Sequence, residues 1–347
     1  MKRKINQSEI QSGKKSTLIW ILFLIAPLMV AFTCMMIGRF SLSVKDVIEQ
    51  LWLFVTQGRE AMNPQYYSVI LQLRLPRILL AGFCGAGLAA SGCAYQNLFS
   101  NALATPDTLG VASGASFGAV LGLLWNQNLF VVQILAIVFG LVAVALTYLI
   151  SHQKGESSII MIILAGMVIS AIFNALISLV KFTADAEEQL PSITYWLMGS
   201  CASANYKSLL LCTPFIIVGI LILFFLRFRL NLLCLSDDEA QSNGVHVGYL
   251  RAVTSIAATI VTASCVSMCG QVGWVGLLIP HICRMLFGSN TTKIIPASIS
   301  LGAIFMLIID AAARSASSVE IPISILTALI GAPVFILLLR KTGGTSL

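Results

Sequence analysis

Arg74–Gly92, RLPRILLAGFCGAGLAASG, sets two arginines around a proline at the head of an apolar run rich in small residues. Read outward, the uncharged part extends from Ile78 to Ser100, and about 20 apolar residues suffice for a helix to cross a bilayer. Such runs recur along the chain. Of its 347 residues 58% are hydrophobic and 10% charged, against roughly 25% charged in a soluble domain. A soluble core cannot enclose that much apolar surface, so the chain reads as an all-α polytopic membrane protein. Its net charge of +7 is therefore weighed against the bilayer and does not point to nucleic acid.

Uncharged runs map the spans. Thr17–Gly38 is the first and Ile78–Ser100 the second. Thr108–Ser151 carries no charge and divides at WNQN (Trp125–Asn128) into a third and fourth. Ser157–Val180 and Ser208–Leu226 follow, and Ala252–Met285 reads as two segments meeting at a bend among Gly270, Gly273, Gly276 and Pro280. Ile294–Ala313 and Ile321–Leu339 complete about ten spans, which places both termini in the cytoplasm. With that orientation 13 Lys and Arg fall inside and 8 outside, as the positive-inside bias asks, although Arg74, Arg77 and Arg314 fall at span ends on the outer side. Residues 1–16 form a basic cytoplasmic tail, 17–341 a single transmembrane domain and 342–347 a C-terminal tail.

Two segments outside the spans read as helices. From about 43 to 56, Ser43 caps a run with Val44, Val47, Ile48, Leu51, Trp52 and Val55 on one face, an outer amphipathic helix. From about 236 to 247, Ser236 and Glu239 make an S-x-x-E capping box and Gly244 a natural stop. The residues alone leave the second helix open between a solvated loop helix and a docking element.

The chemistry of a self-contained enzyme is missing from the sequence. No G-x-x-x-x-G-K-[ST], H-E-x-x-H or G-x-S-x-G occurs, and His152, His246 and His281 stand far apart. The nine cysteines contain no C-x-x-C pair, so they read as small packing residues and no metal site is indicated. Asp310 is the main acidic residue inside a span, four residues before Arg314, the spacing of a helical ion pair. Scarcity of midplane carboxylates argues against an ion-coupled secondary transporter, the alternative of another class. The runs beginning at Arg77 and Arg251 resemble each other and cross in opposite senses, as in an inverted repeat. Gly270, Gly273, Gly276 and Pro280 are the hinge or pathway candidates, together with Asn174 in mid-span and His281.

Several blocks, taken in order, resemble the FecCD-type permease subunits of binding-protein-dependent (type II) ABC importers. They are R-L-P-R at Arg74, QNLFSNALATPDTLGVASGAS at Gln96, WLMGS at Trp196, DEAQSNGV at Asp238 and GQVGWVGLLIPHICR at Gly270. Asp310, Arg314, EIP at Glu320 and LIGAPVFILLL at Leu329 complete the match. The sequence departs from the pattern at Ala102, Asn243 and Ser324, and in GSNTTKIIP after Phe287.

The resemblance implies a BtuC-like permease fold of ten helices with an inverted repeat, in the bacterial cytoplasmic membrane. It implies a dimer with a second copy or a related permease, two cytoplasmic ATPase subunits that use ATP and Mg, and an extracytoplasmic binding protein. No cofactor would be bound by this chain. Arg74, Arg77 and Arg314 would receive the binding protein, and Ser236, Asp238, Glu239, Ala240, Gly244 and Val245 would couple to the ATPase. The cargo would be a metal chelate, an iron–siderophore first, with haem or vitamin B12 (cobalamin) as alternatives.

Overall fold

A computed structural model describes residues 7–125, 128–151, 159–234 and 237–342, and all regular elements among them are helical. In chain order these are α1 (Gln7–Met36), α2 (Val44–Gln57), α3 (Pro64–Leu98), α4 (Val111–Trp125) and α5 (Leu129–Ser151). Next come α6 (Ile159–Thr183), α7 (Gln189–Leu197), α8 (Tyr206–Leu230) and α9 (Asp237–Ser242). The chain ends with α10 (Val247–Cys269), α11 (Val275–Phe287), α12 (Thr291–Ser315) and α13 (Ile323–Thr342). Six of them, α3, α5, α6, α8, α10 and α12, are long and apolar enough to cross a membrane. Shorter apolar helices lie in α1, α4, α11 and α13, so ten apolar helices among the described residues correspond to the about ten expected spans of a multi-pass membrane protein.

The repeat is visible in the order of elements. Long α3 is followed by a largely irregular stretch, with one 3-10 turn at Asp107–Leu109, and short α4; long α10 is followed by a break and short α11. α3 begins, and α10 ends, at the same charged end of the bundle, so the two halves run in opposite senses. Packing follows the same exchange: α3 lies along α12, α10 lies along α5, and α3 and α10 cross each other. At the α3–α12 crossing a methyl on Gly85 would collide with the Gly302 carbonyl oxygen, so the backbones meet directly. A polar seam joins the halves as well. Gln133 on α5 donates to Ser264 of α10 at 2.8 Å and accepts from Ser267, and the Tyr95 hydroxyl of α3 meets Thr259 of α10 at 2.8 Å. Burial in an apolar bundle makes such side-chain pairs the way polar groups are satisfied.

The second span differs from expectation at its start. α3 begins at Pro64, capped by Asn63, so Arg74 and Arg77 lie inside the helix and not at its entrance. Residues Tyr67–Arg74 form a π-helical stretch, and Pro76, which has no N–H to donate, follows after Leu75. The carbonyl of Leu71, five residues before Pro76, accepts instead from the Tyr206 hydroxyl of α8. The bend in 252–285 also has a different origin. α10 stops at Gly270, whose φ of +70° suits glycine, and five residues intervene before α11, inside which Pro280 sits.

Candidate functional site

The stretch before α4 and the break before α11 come together at a partly open cleft in which Asp107 and Asn174 are exposed. Thr105, Pro106 and Asp107 from one, and Gln271, Gly273 and Trp274 from the other, line a single cavity of about 540 Å³. Leu88 of α3, Ser113 of α4, Thr262 of α10 and Ser324 of α13 complete its walls. The wall is a mixture of hydroxyl, amide and apolar groups; none of its lining residues is Lys or Arg, and Asp107 has no salt-bridge partner among the described residues. Irregular backbone inside a membrane bundle is tolerated where it lines such a cavity. Close packing fixes the arrangement: a methyl on Gly92 would overlap the Gly276 carbonyl, so α3 and the start of α11 touch backbone to backbone.

Among the sequence candidates, Asn174, Gly273 and Gly276 line this cavity. Gly270, Pro280 and His281 do not. Gly270 terminates α10, Pro280 lies within α11, and His281 is buried edge-on against Phe335 at 5.7 Å. The Asp107 and Thr105 contribution was not singled out from sequence. TPDTLG lies within the block that begins at Gln96, but nothing in it shows that the chain turns inward.

At the charged end the three arginines converge, with their guanidinium groups occupied within the chain. Arg77 Nε lies 2.8 Å from Asp310 Oδ1 and its Nη1 2.8 Å from Glu320 Oε1. Arg314 Nε lies 3.7 Å from Asp310 Oδ2, the expected i,i+4 pair. Arg74 donates to the carbonyls of Met35 and Phe40, and Arg314 to that of Cys34. α1 has no basic residue in its own last turn, so these two arginines from α3 and α12 satisfy carbonyls at its C-terminus. A Cβ on Gly38 would stand 2.6 Å from Arg74 Nη2, so the glycine makes room for the guanidinium. All three arginines are under 9% exposed (5, 8 and 7% for Arg74, Arg77 and Arg314), while Arg39 nearby is exposed. This differs from a picture of three free guanidinium groups awaiting a partner. Desolvation in the bundle favours pairing these charges internally, although Arg314 Nε has no hydrogen-bond partner closer than that 3.7 Å ion pair.

At the opposite end, α9 is a single short helix. Ser236 lies outside the described residues, so the capping box is not described. The helix ends at Ser242 and not near 247, because Gly244 turns left-handed at φ +76°. Its N–H donates to Gln241 O at 2.8 Å and that of Val245 to Ala240 O at 3.2 Å, a Schellman closure. Asp238 and Glu239 are exposed, Ala240 is buried, and Val247 opens α10.

A bundle of opposed repeats with a polar cavity at two helix breaks defines a membrane transport permease. The chain matches the FecCD transport family over residues 22–341 and belongs to it; it is a permease of the ABC importer class. It is 44% identical over 306 residues to the molybdate import system permease protein MolB of Haemophilus influenzae, covering 88% of this chain and 90% of that one. It is 36% identical to a probable iron chelatin transport system permease of Helicobacter pylori, covering 80% and 83%. Among solved structures it resembles an inward-facing metal-chelate type ABC transporter, with TM-score 0.84, 41% identity and coverage of 94% and 99%. Membership of this family displaces the ion-coupled alternative.

Proposed function

We propose that this chain passes a metal, carried as an oxyanion or an organic chelate, from an extracytoplasmic binding protein to the cytoplasm, driven by a separate ATPase. The observation that carries the reading is the polar, cation-free cavity where the two helix breaks meet. Such a wall offers many weak hydrogen bonds, no cation and a single carboxylate, that of Asp107, which suits a cargo that must enter and leave. The 44% identity to a molybdate permease favours a molybdate-like oxyanion over the iron–siderophore expected from sequence. Iron chelate remains the second reading, supported by the 36% identity to the Helicobacter relative, and the names of more distant relatives keep haem and cobalamin behind it. Uptake by the complete transporter in vesicles, with labelled molybdate and labelled ferric siderophore in separate arms, tests this. ATP-dependent accumulation of molybdate alone supports the first reading; accumulation of the iron chelate alone replaces it.

In this proposal the charged end faces outward and both termini face the cytoplasm, as the basic-residue bias suggests. Two permease copies, or this chain and a related one, enclose the path. Two ATPases couple through α9 and the turn at Gly244 and Val245. The binding protein meets the charged end, where exposed Arg39 is the first cation an acidic partner encounters. Glu320, with a side chain 27% exposed, is then the replaceable partner of Arg77. Arg39→Glu should weaken docking, most at low salt. Unchanged docking at low salt would remove this face from the proposal.

A further inference from the structure

Cys269 touches two other thiols at once. Its Sγ lies 3.4 Å from Cys84 Sγ on α3 and 3.5 Å from Cys201 Sγ in the segment before α8. Cys265, one turn earlier on α10, directs its sulfur at the Cys84 carbonyl at 3.7 Å. The eight cysteines whose side chains are described are buried and free, yet only here do sulfurs from three separate segments meet among the described residues. Packing requires small volume and explains burial. It does not require sulfur against sulfur.

We propose that Cys201 and Cys269 are an oxidative modification site that closes to a disulfide when a low-molecular-weight disulfide reaches the charged end. An S–S bond is about 2.05 Å long, so closure brings the two sulfurs together by about 1.5 Å from their 3.5 Å contact. The backbones are already adjacent, since Ser200 N–H donates to Cys269 O at 2.9 Å. Cys201 and Cys269 are 0 and 1% exposed, so the reaction requires the Met198–Asn205 segment to open locally. Exposed Ala202 and Ser203 follow Cys201 and make it the first thiol uncovered, whereas Cys84 lies within α3 and Cys269 ends α10 behind this segment. The Cys201 thiolate attacks one sulfur of the oxidant and releases one thiol. The Cys269 thiolate then attacks the Cys201 sulfur of the mixed disulfide and releases the second. Two protons and two electrons leave the pair, and the oxidant is reduced to two thiols.

The bond staples Met198–Asn205 to the end of α10, immediately before the break that lines the cavity. Ile323 N–H to Gly199 O at 2.9 Å and Ser324 N–H to Met198 O at 3.2 Å already hold the same segment against α13. Oxidation therefore makes covalent a junction that is otherwise hydrogen-bonded.

The test treats the full-length protein in membranes with 4,4′-dithiodipyridine, then unfolds it, alkylates the remaining thiols and maps peptides by mass spectrometry. Two thiols per chain should disappear, joined in a Cys201–Cys269 peptide, and dithiothreitol should restore both. Cys201→Ser and Cys269→Ser should each abolish the linked peptide, while Cys283→Ser should retain it. A full complement of alkylated thiols in the treated wild-type protein overturns the proposal, as does a link that maps to Cys84 and Cys269. Both decisive readouts come from the wild-type chain, so they do not depend on how a variant folds.

Discussion

Arg77 joins two acidic residues of different standing: Asp310, with a side chain 2% exposed, and Glu320, 27% exposed, each at 2.8 Å. Removing one partner of a buried pair leaves an uncompensated charge and costs about 3–5 kcal/mol. Asp310→Ala should therefore strongly lower the melting temperature of the detergent-solubilised protein. Glu320→Gln removes a partly hydrated partner and should cost about 1 kcal/mol or less. Equal losses from the two variants would show that Asp310 is not the structural anchor.

The α3–α11 contact offers a steric test. Gly92→Ala places a methyl against the Gly276 carbonyl, and overpacking of this kind costs about 1–3 kcal/mol. Gly248→Ala, where nothing lies within 4 Å of the added carbon, should be close to neutral. Thermal unfolding of the pair, measured side by side, separates close approach from loss of glycine as such.

The seam between α5 and α10 should be weaker than its burial suggests. Gln133→Leu leaves Ser264 and Ser267 without their shared partner, and interhelical hydrogen bonds in membranes average about 0.6 kcal/mol. A modest loss of stability with retained insertion is expected. Failure of the variant to insert would assign Gln133 a larger part in assembly.

The cavity and α9 can be separated by where transport fails. Asn174→Leu and Asp107→Asn should change uptake by the assembled transporter while leaving its ATPase rate within about twofold. Gly244→Val forces a β-branched residue into a left-handed turn, at a cost of about 1–2 kcal/mol. It should reduce transport-coupled ATP hydrolysis. Unchanged coupling in Gly244→Val would leave α9 a solvated helix.

The spans were legible because hydrocarbon excludes charge, and an uncharged run of the right length has few other uses in this chain. The start of α3 was not legible, since two arginines usually mark a helix boundary. Here their donors are filled by carbonyls 39 and 34 residues away and by carboxylates 233 and 243 residues away. The cavity was half legible. Gly273, Gly276 and Asn174 could be named from composition and position, but the inward turn at Thr105–Asp107 has no polar or glycine pattern that sets it apart from a surface loop. The thiol contact was invisible for the same reason as the arginine partners: its members are 68 and 185 residues apart.

The capping of α1 by Arg74 and Arg314 bears on the order in which the molecule is built. α1 leaves the ribosome well before Arg314, which belongs to α12. Until α12 arrives, the carbonyl of Cys34 has no donor from its own helix turn or from α3. α1 thus reaches its final surroundings only after α12 has been made. Chains truncated before α12 should leave Cys34 open to alkylation, and the full-length chain should protect it.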